Sequence, residues 1–79
     1  MKERVFKVVS EVMNIPVSQV NEKTSTDTVG QWESLKHMNL ILALEEEFGV
    51  EFDDKQIGEM LSVSLIIEAL QEMNEKVIN

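Results

Sequence analysis

The chain has 79 residues, 43% of them hydrophobic, with one Pro, three Gly, no Cys and a formal net charge of −8. One small domain over 1–79 is expected, hiding only about 60% of its unfolded surface and stable by roughly 4–12 kcal/mol, with disulfides and thiolate metal sites excluded. No apolar run approaches the ~18 residues of a membrane span and no secretory h-region follows Met1, so a soluble, cytoplasmic protein is expected, and the acidity disfavours nucleic acid and anionic membranes as partners.

Helix one is predicted over 2–14. Val5, Phe6, Val8, Val9, Val12 and Met13 follow i, i+3, i+4, i+7 spacing and form a broad apolar face, with Lys2, Glu3, Lys7, Ser10 and Glu11 opposite. Pro16 is read as its terminator, because a proline disfavours the α region at the residue before it. Ile15, Val17 and Val20 are expected to pack on the core. Residues 17–33 are rich in Ser, Thr, Asn and Asp and read as a long connection, of a length that is usually functional or disordered. A short turn is placed near Ser18-Gln19-Val20, and Val29 and Trp32 are its apolar anchors. Trp32 is expected to pack the connection onto the next helix rather than to meet a partner.

Helix two is predicted over 34–48, free of Gly and Pro until Gly49, which suits a C′ position because it can adopt positive φ. Leu40, Ala43, Leu44 and Phe48 make one apolar face. Leu35, Met38 and Leu42 make a second that leads to Glu45 and Glu46, with Ile41 between the two. So small a bundle can hardly bury both, so the second face reads either as a docking surface or as the flank of a central helix packed on several sides. Ser34 stands at the helix entrance and also allows two readings. It is an N-cap whose hydroxyl accepts a first-turn N–H, or it is a modified serine whose phosphate ester faces free N–H groups and the positive end of the helix dipole. A hydrolytic role would need His37, three residues on, as base, plus an orienting acid and an oxyanion site that the spacing does not supply.

Val50-Glu51-Phe52 reads as an extended link, and Asp53 with Gln56 has capping-box spacing. A short helix three is predicted over 54–60, with Ile57, Met60 and Leu61 as apolar contacts and Gly58 weakening it. Ser62 is the expected N-cap of helix four, over 63–76, whose apolar series is Val63, Ile66, Ile67, Leu70 and Met73 or Asn74. Glu72 and Lys76 form an i, i+4 pair, and the last residues are expected to fray. Charge is uneven: residues 1–32 are net neutral, 33–59 carry −6 and 60–79 carry −2. This field would steer the chain toward basic patches on partner proteins. A lone His makes no zinc site without several carboxylates, Asp53-Asp54 lacks the spacing of a calcium loop, and the dispersed Met residues read as core filler, so no catalytic or metal residue is assigned.

Glu33-Ser34-Leu35, followed by Leu40-Ile41-Leu42-Ala43-Leu44-Glu45-Glu46-Glu47-Phe48, resembles the acyl carrier proteins. That family carries Asp-Ser-Leu at the head of its second helix and closes the helix with a run close to Ala-Leu-Glu-Glu-Glu-Phe. The likeness extends over nearly the whole chain. It implies an all-α four-helix bundle of acyl-carrier-protein type, with three longer helices, one short helix and a long loop after helix one. It implies covalently attached 4′-phosphopantetheine on Ser34, derived from coenzyme A through a phosphopantetheinyl transferase. The group's thiol would carry acyl cargo as thioesters in a fatty-acid, polyketide or related specialised pathway.

The resemblance also implies that helix two is presented to acyl-transferring, condensing or acyl-activating enzymes with basic docking patches. Glu33, Leu35, Lys36, Met38, Leu42, Glu45 and Glu46 are the expected recognition residues, His37 is expected to face solvent beside the prosthetic group, and the short third helix is the mobile wall of the acyl pocket. No enzyme activity is expected, and a monomer is the default. Glu33 departs from the family's Asp, and Lys36 and Asn39 stand where fatty-acid carriers are often acidic, which points toward a specialised pathway. A small acidic adaptor with unmodified Ser34, or a peptidyl or aminoacyl carrier, would show the same periodicities.

Overall fold

In a computed structural model, which describes the backbone of residues 2–78 and the side chains of residues 2–73, the elements are α1 (Lys2–Met13), a 3₁₀ turn (Val17–Gln19), α2 (Ser34–Phe48), α3 (Asp54–Glu59) and α4 (Val63–Ile78). Three long helices and one short one form the bundle, with α1 packed against both α2 and α4. The core is assembled from Val5, Val9 and Met13 of α1, Leu40, Ile41 and Leu44 of α2, and Val63, Ile66 and Leu70 of α4, with Met60 filling the end of α3. The predicted apolar series of α1, α2 and α4 are thus the buried stripes of their helices, with one adjustment. Ile41 belongs to the core rather than to its edge, because Leu40, Ile41 and Leu44, at i, i+1 and i+4, are what faces inward. The side chains of Asn74 and Lys76, and with them the expected Glu72–Lys76 pair and the fraying of the last residues, lie outside the described residues.

Helix ends follow local chemistry. α1 stops at Met13, one residue earlier than expected, and the stop is Asn14 rather than Pro16. Asn14 takes φ 58°, so that Ile15 N–H donates to Ser10 C=O (3.1 Å), the six-to-one bond of a Schellman closure. Ser10 Oγ donates to Ile15 C=O at 2.6 Å and locks the turn. α2 ends in the same way at Gly49, φ 65°, whose N–H and that of Val50 both reach Glu45 C=O. α3 opens with the predicted capping box, Asp53 Oδ1 accepting from Gln56 N–H (2.7 Å) and Gln56 Oε1 accepting from Asp53 N–H (3.0 Å), and ends at Glu59 rather than residue 60. Arg4 ties α1 to the end of α2, donating to Glu47 Oε2 and to Glu47 C=O at 2.8 Å each while its guanidinium lies 4.6 Å from the Phe48 ring centroid.

The long connection is ordered by its own small polar residues. Asn21, Thr24, Ser25 and Thr28 close successive turns, with Asn21 N–H to Thr24 Oγ1 and Ser25 N–H to Thr28 Oγ1 both at 2.9 Å. Val20, Val29 and Trp32 pin it to the core, whereas Val17 is exposed, and so is Leu61. The 3₁₀ turn holds Val17 on the outside, and Leu61 lies on a stretch whose C=O is already engaged by Thr26 N–H, which fixes it at the surface. The same loop caps α4. Val63 N–H donates to Thr24 C=O (2.8 Å), Ser64 N–H to Glu22 C=O (3.1 Å) and Leu65 N–H to Ser62 Oγ (3.2 Å), so the first three donors of that helix are satisfied and Ser62 is the N-cap expected.

Candidate functional site

The entrance of α2 is built differently. Glu33, in extended conformation, is the N-cap; its Oε1 accepts from Lys36 N–H at 3.0 Å, and its C=O accepts from His37 N–H at 2.7 Å. Ser34 is therefore the first helical residue and not the cap that local pattern suggested. The longer Glu side chain folds back over the first turn and reaches the third N–H, a bond that a Ser hydroxyl at the next position cannot make. Ser34 is left exposed, and its hydroxyl has no partner among the described residues. Among the described residues the N–H groups of Ser34 and Leu35 are also without an acceptor. A hydroxyl open to solvent thus stands beside two open donors at the positive end of a 15-residue helix, an arrangement that stabilises an anionic ester on that oxygen.

The other expected recognition residues divide. Leu35, Met38 and Leu42 are 68%, 45% and 60% exposed and form one continuous apolar stripe running away from Ser34. Glu46 is exposed at its far end, and Lys36 is half-buried beside Ser34. Glu45 turns inward: its Oε2 accepts from Phe52 N–H at 2.8 Å and anchors the α2–α3 link, so that carboxylate is engaged by the fold. Phe52 is buried directly behind it.

His37 is not the solvent-facing neighbour expected from the sequence. Its Nδ1 accepts from Trp32 Nε1–H at 2.9 Å, and its Nε2 lies 2.8 Å from Ile57 C=O. Indole only donates and a carbonyl only accepts, so the ring is neutral with its proton on Nε2. The two rings lie edge to edge across the Trp32–His37 bond, 6.2 Å between centroids and 24° between planes, and Trp32 is buried. Both imidazole nitrogens are committed, and neither is available to take a proton from Ser34. The sequence placed Trp32 against α2, but the acceptor on α3 is a backbone carbonyl and leaves no signal in side-chain identity.

Among the described residues no group of three or more His, Cys, Asp and Glu side chains gathers as a metal would need, and no helix is long and apolar enough to cross a membrane. Residues 3–70 match the family model described as phosphopantetheine attachment site. The chain is also similar to two proteins named acyl carrier protein. One, from Buchnera aphidicola subsp. Acyrthosiphon pisum (strain Tuc7), is 32% identical over 77 residues, which cover 96% of this chain and 95% of that protein. The other, from Buchnera aphidicola subsp. Schizaphis graminum (strain Sg), is 29% identical over 77 residues and 96% of each.

Proposed function

The chain belongs to the acyl carrier protein family, whose members are non-catalytic and hold 4′-phosphopantetheine covalently, and on that premise we propose that Ser34 is the residue that bears the group. The observation that carries this reading is the uncommitted Ser34 hydroxyl at the first position of α2, beside the open N–H groups of Ser34 and Leu35. In the reaction, Ser34 Oγ attacks the pyrophosphate phosphorus of coenzyme A nearest the pantetheine. A serine P–O bond forms, the pyrophosphate bond breaks, adenosine 3′,5′-bisphosphate leaves, and the hydroxyl proton passes to a base on the phosphopantetheinyl transferase, since His37 is committed elsewhere. When bound, the group supplies a terminal thiol for acyl cargo.

The chain's own residues then hold and present it. The helix dipole and the two open amides favour the phosphodiester's negative charge. The bundle fixes α2 so that Leu35, Met38 and Leu42, with Glu33, Lys36 and Glu46 around them, face a partner enzyme. Glu45 supports that surface by holding the link behind it. The domain over 1–79 acts as one shuttle unit in the cytoplasm, and Lys36 and Asn39, in place of acids, favour a specialised acyl pathway over primary fatty-acid synthesis. The test is intact mass after incubation with coenzyme A, Mg²⁺ and a broad-specificity transferase. The reading expects a gain of one phosphopantetheinyl group in the native chain and none in Ser34→Ala; an unchanged native mass, or a gain in Ser34→Ala, would overturn it.

A further inference from the structure

Nothing on Ser34 itself fixes where its hydroxyl stands. Among the described residues its Oγ and its N–H have no partner. The placement of that oxygen is therefore inherited from the residues on either side. The bond from Lys36 N–H to Glu33 Oε1 is exposed and open to competition from water. His37 makes the more sheltered connections. Its N–H donates to Glu33 C=O at 2.7 Å, and its Nδ1 accepts from Trp32 Nε1–H at 2.9 Å. One backbone bond and one side-chain bond thus bracket Ser34 between residues 32 and 37. Trp32 is also the last buried side chain before Ser34, 3% exposed, and its own N–H donates to Val29 C=O at 3.1 Å. Between those two anchors lie only Gly30 and the exposed Gln31, so the indole is what ties the end of the loop to α2. An indole N–H only donates, and Ile57 C=O, by taking the proton of Nε2, leaves the Nδ1 lone pair free to receive it. Without that acceptor the buried N–H is unpaired, which shifts the balance toward an unpinned loop by roughly tenfold or more.

Resting on Ser34 as the attachment residue, we infer that Trp32 and His37 are a pair of positioning residues for the transfer of phosphopantetheine: their bond holds the entrance of α2 in the arrangement that presents Ser34 Oγ to the phosphorus of coenzyme A. Neither side chain touches the reacting atoms. Attack at phosphorus runs in line with the departing oxygen, so its rate depends on where the attacking oxygen is held. A loosened entrance slows that step. Docking is spared, because Leu35, Met38 and Leu42 are carried by a helix that the core holds through Leu40, Ile41 and Leu44.

The experiment follows phosphopantetheinylation of the full-length protein by intact mass, in single turnovers with a broad-specificity transferase in excess and coenzyme A saturating. This separates the limiting rate of transfer from the transferase concentration that half-saturates it. His37→Leu keeps the bulk and removes the acceptor. His37→Asn sets an amide oxygen near the place of Nδ1 and keeps it. Both give up the bond to Ile57, so their comparison isolates the acceptor for the indole. Circular dichroism confirms that each variant is folded. In His37→Leu the limiting rate is expected to fall about fivefold or more, with half-saturation within about twofold of native. In His37→Asn the limiting rate is expected to return to within about twofold of native. Should His37→Leu not fold, Trp32→Phe, which keeps an aromatic ring and removes only the Nε1–H donor, carries the comparison with a loss in the same direction. A native limiting rate in the folded variants, a loss confined to half-saturation, or a His37→Asn as slow as His37→Leu would overturn the positioning role. A native chain that gains no mass would overturn the attachment reading, and the pair's role with it.

Discussion

At the scale of single residues, the functional site turns on which side chain spends itself on the helix entrance. Glu33 does so, and Ser34 is thereby released from structural work. Glu33→Ala removes the side chain that caps the first turn, the only such acceptor among the described residues, and is expected to lower stability by about 1 kcal/mol, read as a shift in the urea midpoint. The converse change at the neighbouring position, Ser34→Ala, removes a hydroxyl that bonds nothing described and should leave the midpoint within about 0.5 kcal/mol of native. A large loss for Ser34→Ala would restore Ser34 as the cap. Local pattern pointed to Ser34 as the cap because a Ser hydroxyl is a strong first-turn acceptor, and the structure gives that position to Glu33 instead. Only the backbone angles at Glu33, extended at φ −115° and ψ −174°, decide it. His37 teaches a similar lesson. Its partners are an indole five residues back and a carbonyl twenty residues on, and no local pattern encodes the second.

At the scale of elements, periodicity carried most of the information. The buried stripes of α1, α2 and α4 are the apolar series the chain displays, because a helix has one face to bury and the spacing of its apolar side chains says which. The capping box of α3 was equally plain, since both partners lie within three residues. What escaped was where the chain stops: the αL turn at Asn14 and the exposed Val17 rest on local backbone bonds, Ile15 N–H to Ser10 C=O and Val20 N–H to Val17 C=O, that side-chain pattern does not show, and the surface Leu61 is held through its C=O by the distant Thr26 N–H. α3 is the weakest element, six residues long with no side chain fully buried. Gly58 sits in its last turn without positive φ and with open space where a Cβ would stand. Gly58→Ala should therefore stabilise α3 by about 0.5–1 kcal/mol and slow amide exchange within it; unchanged exchange would mean that α3 is held by its contacts and not limited by its own helix propensity. On α2, the exposed stripe is separable from the core. Leu42→Asn should leave stability within about 0.5 kcal/mol of native while slowing acceptance of the prosthetic group, as measured by initial rates with a phosphopantetheinyl transferase.

At the scale of the molecule, charge and apolar surface are arranged around one end of one helix. Arg4 is committed to Glu47, and Lys2 to Glu22 at 3.2 Å, so among the described residues two basic side chains are turned against the chain's own acids. The exposed carboxylates of Glu46, Glu51, Asp53, Asp54 and Glu59 remain along the half of the chain that follows Ser34. Association with a basic partner surface should accordingly slow as salt rises, with most of the effect in the association rate, because screening acts on the approach of exposed charges. Surface plasmon resonance at low and high ionic strength checks this, and a salt-independent association rate would place recognition in the apolar stripe alone. The account as a whole rests on one oxygen atom. Cleavage after Lys23 and Lys36 releases a peptide that holds Thr24, Ser25, Thr26, Thr28 and Ser34 together, so fragment-ion mass spectrometry of that peptide from transferase-treated protein offers five hydroxyls to a single group. The account predicts the phosphopantetheinyl mass on Ser34 and on no other; its appearance on any of the other four, or on none, would contradict it.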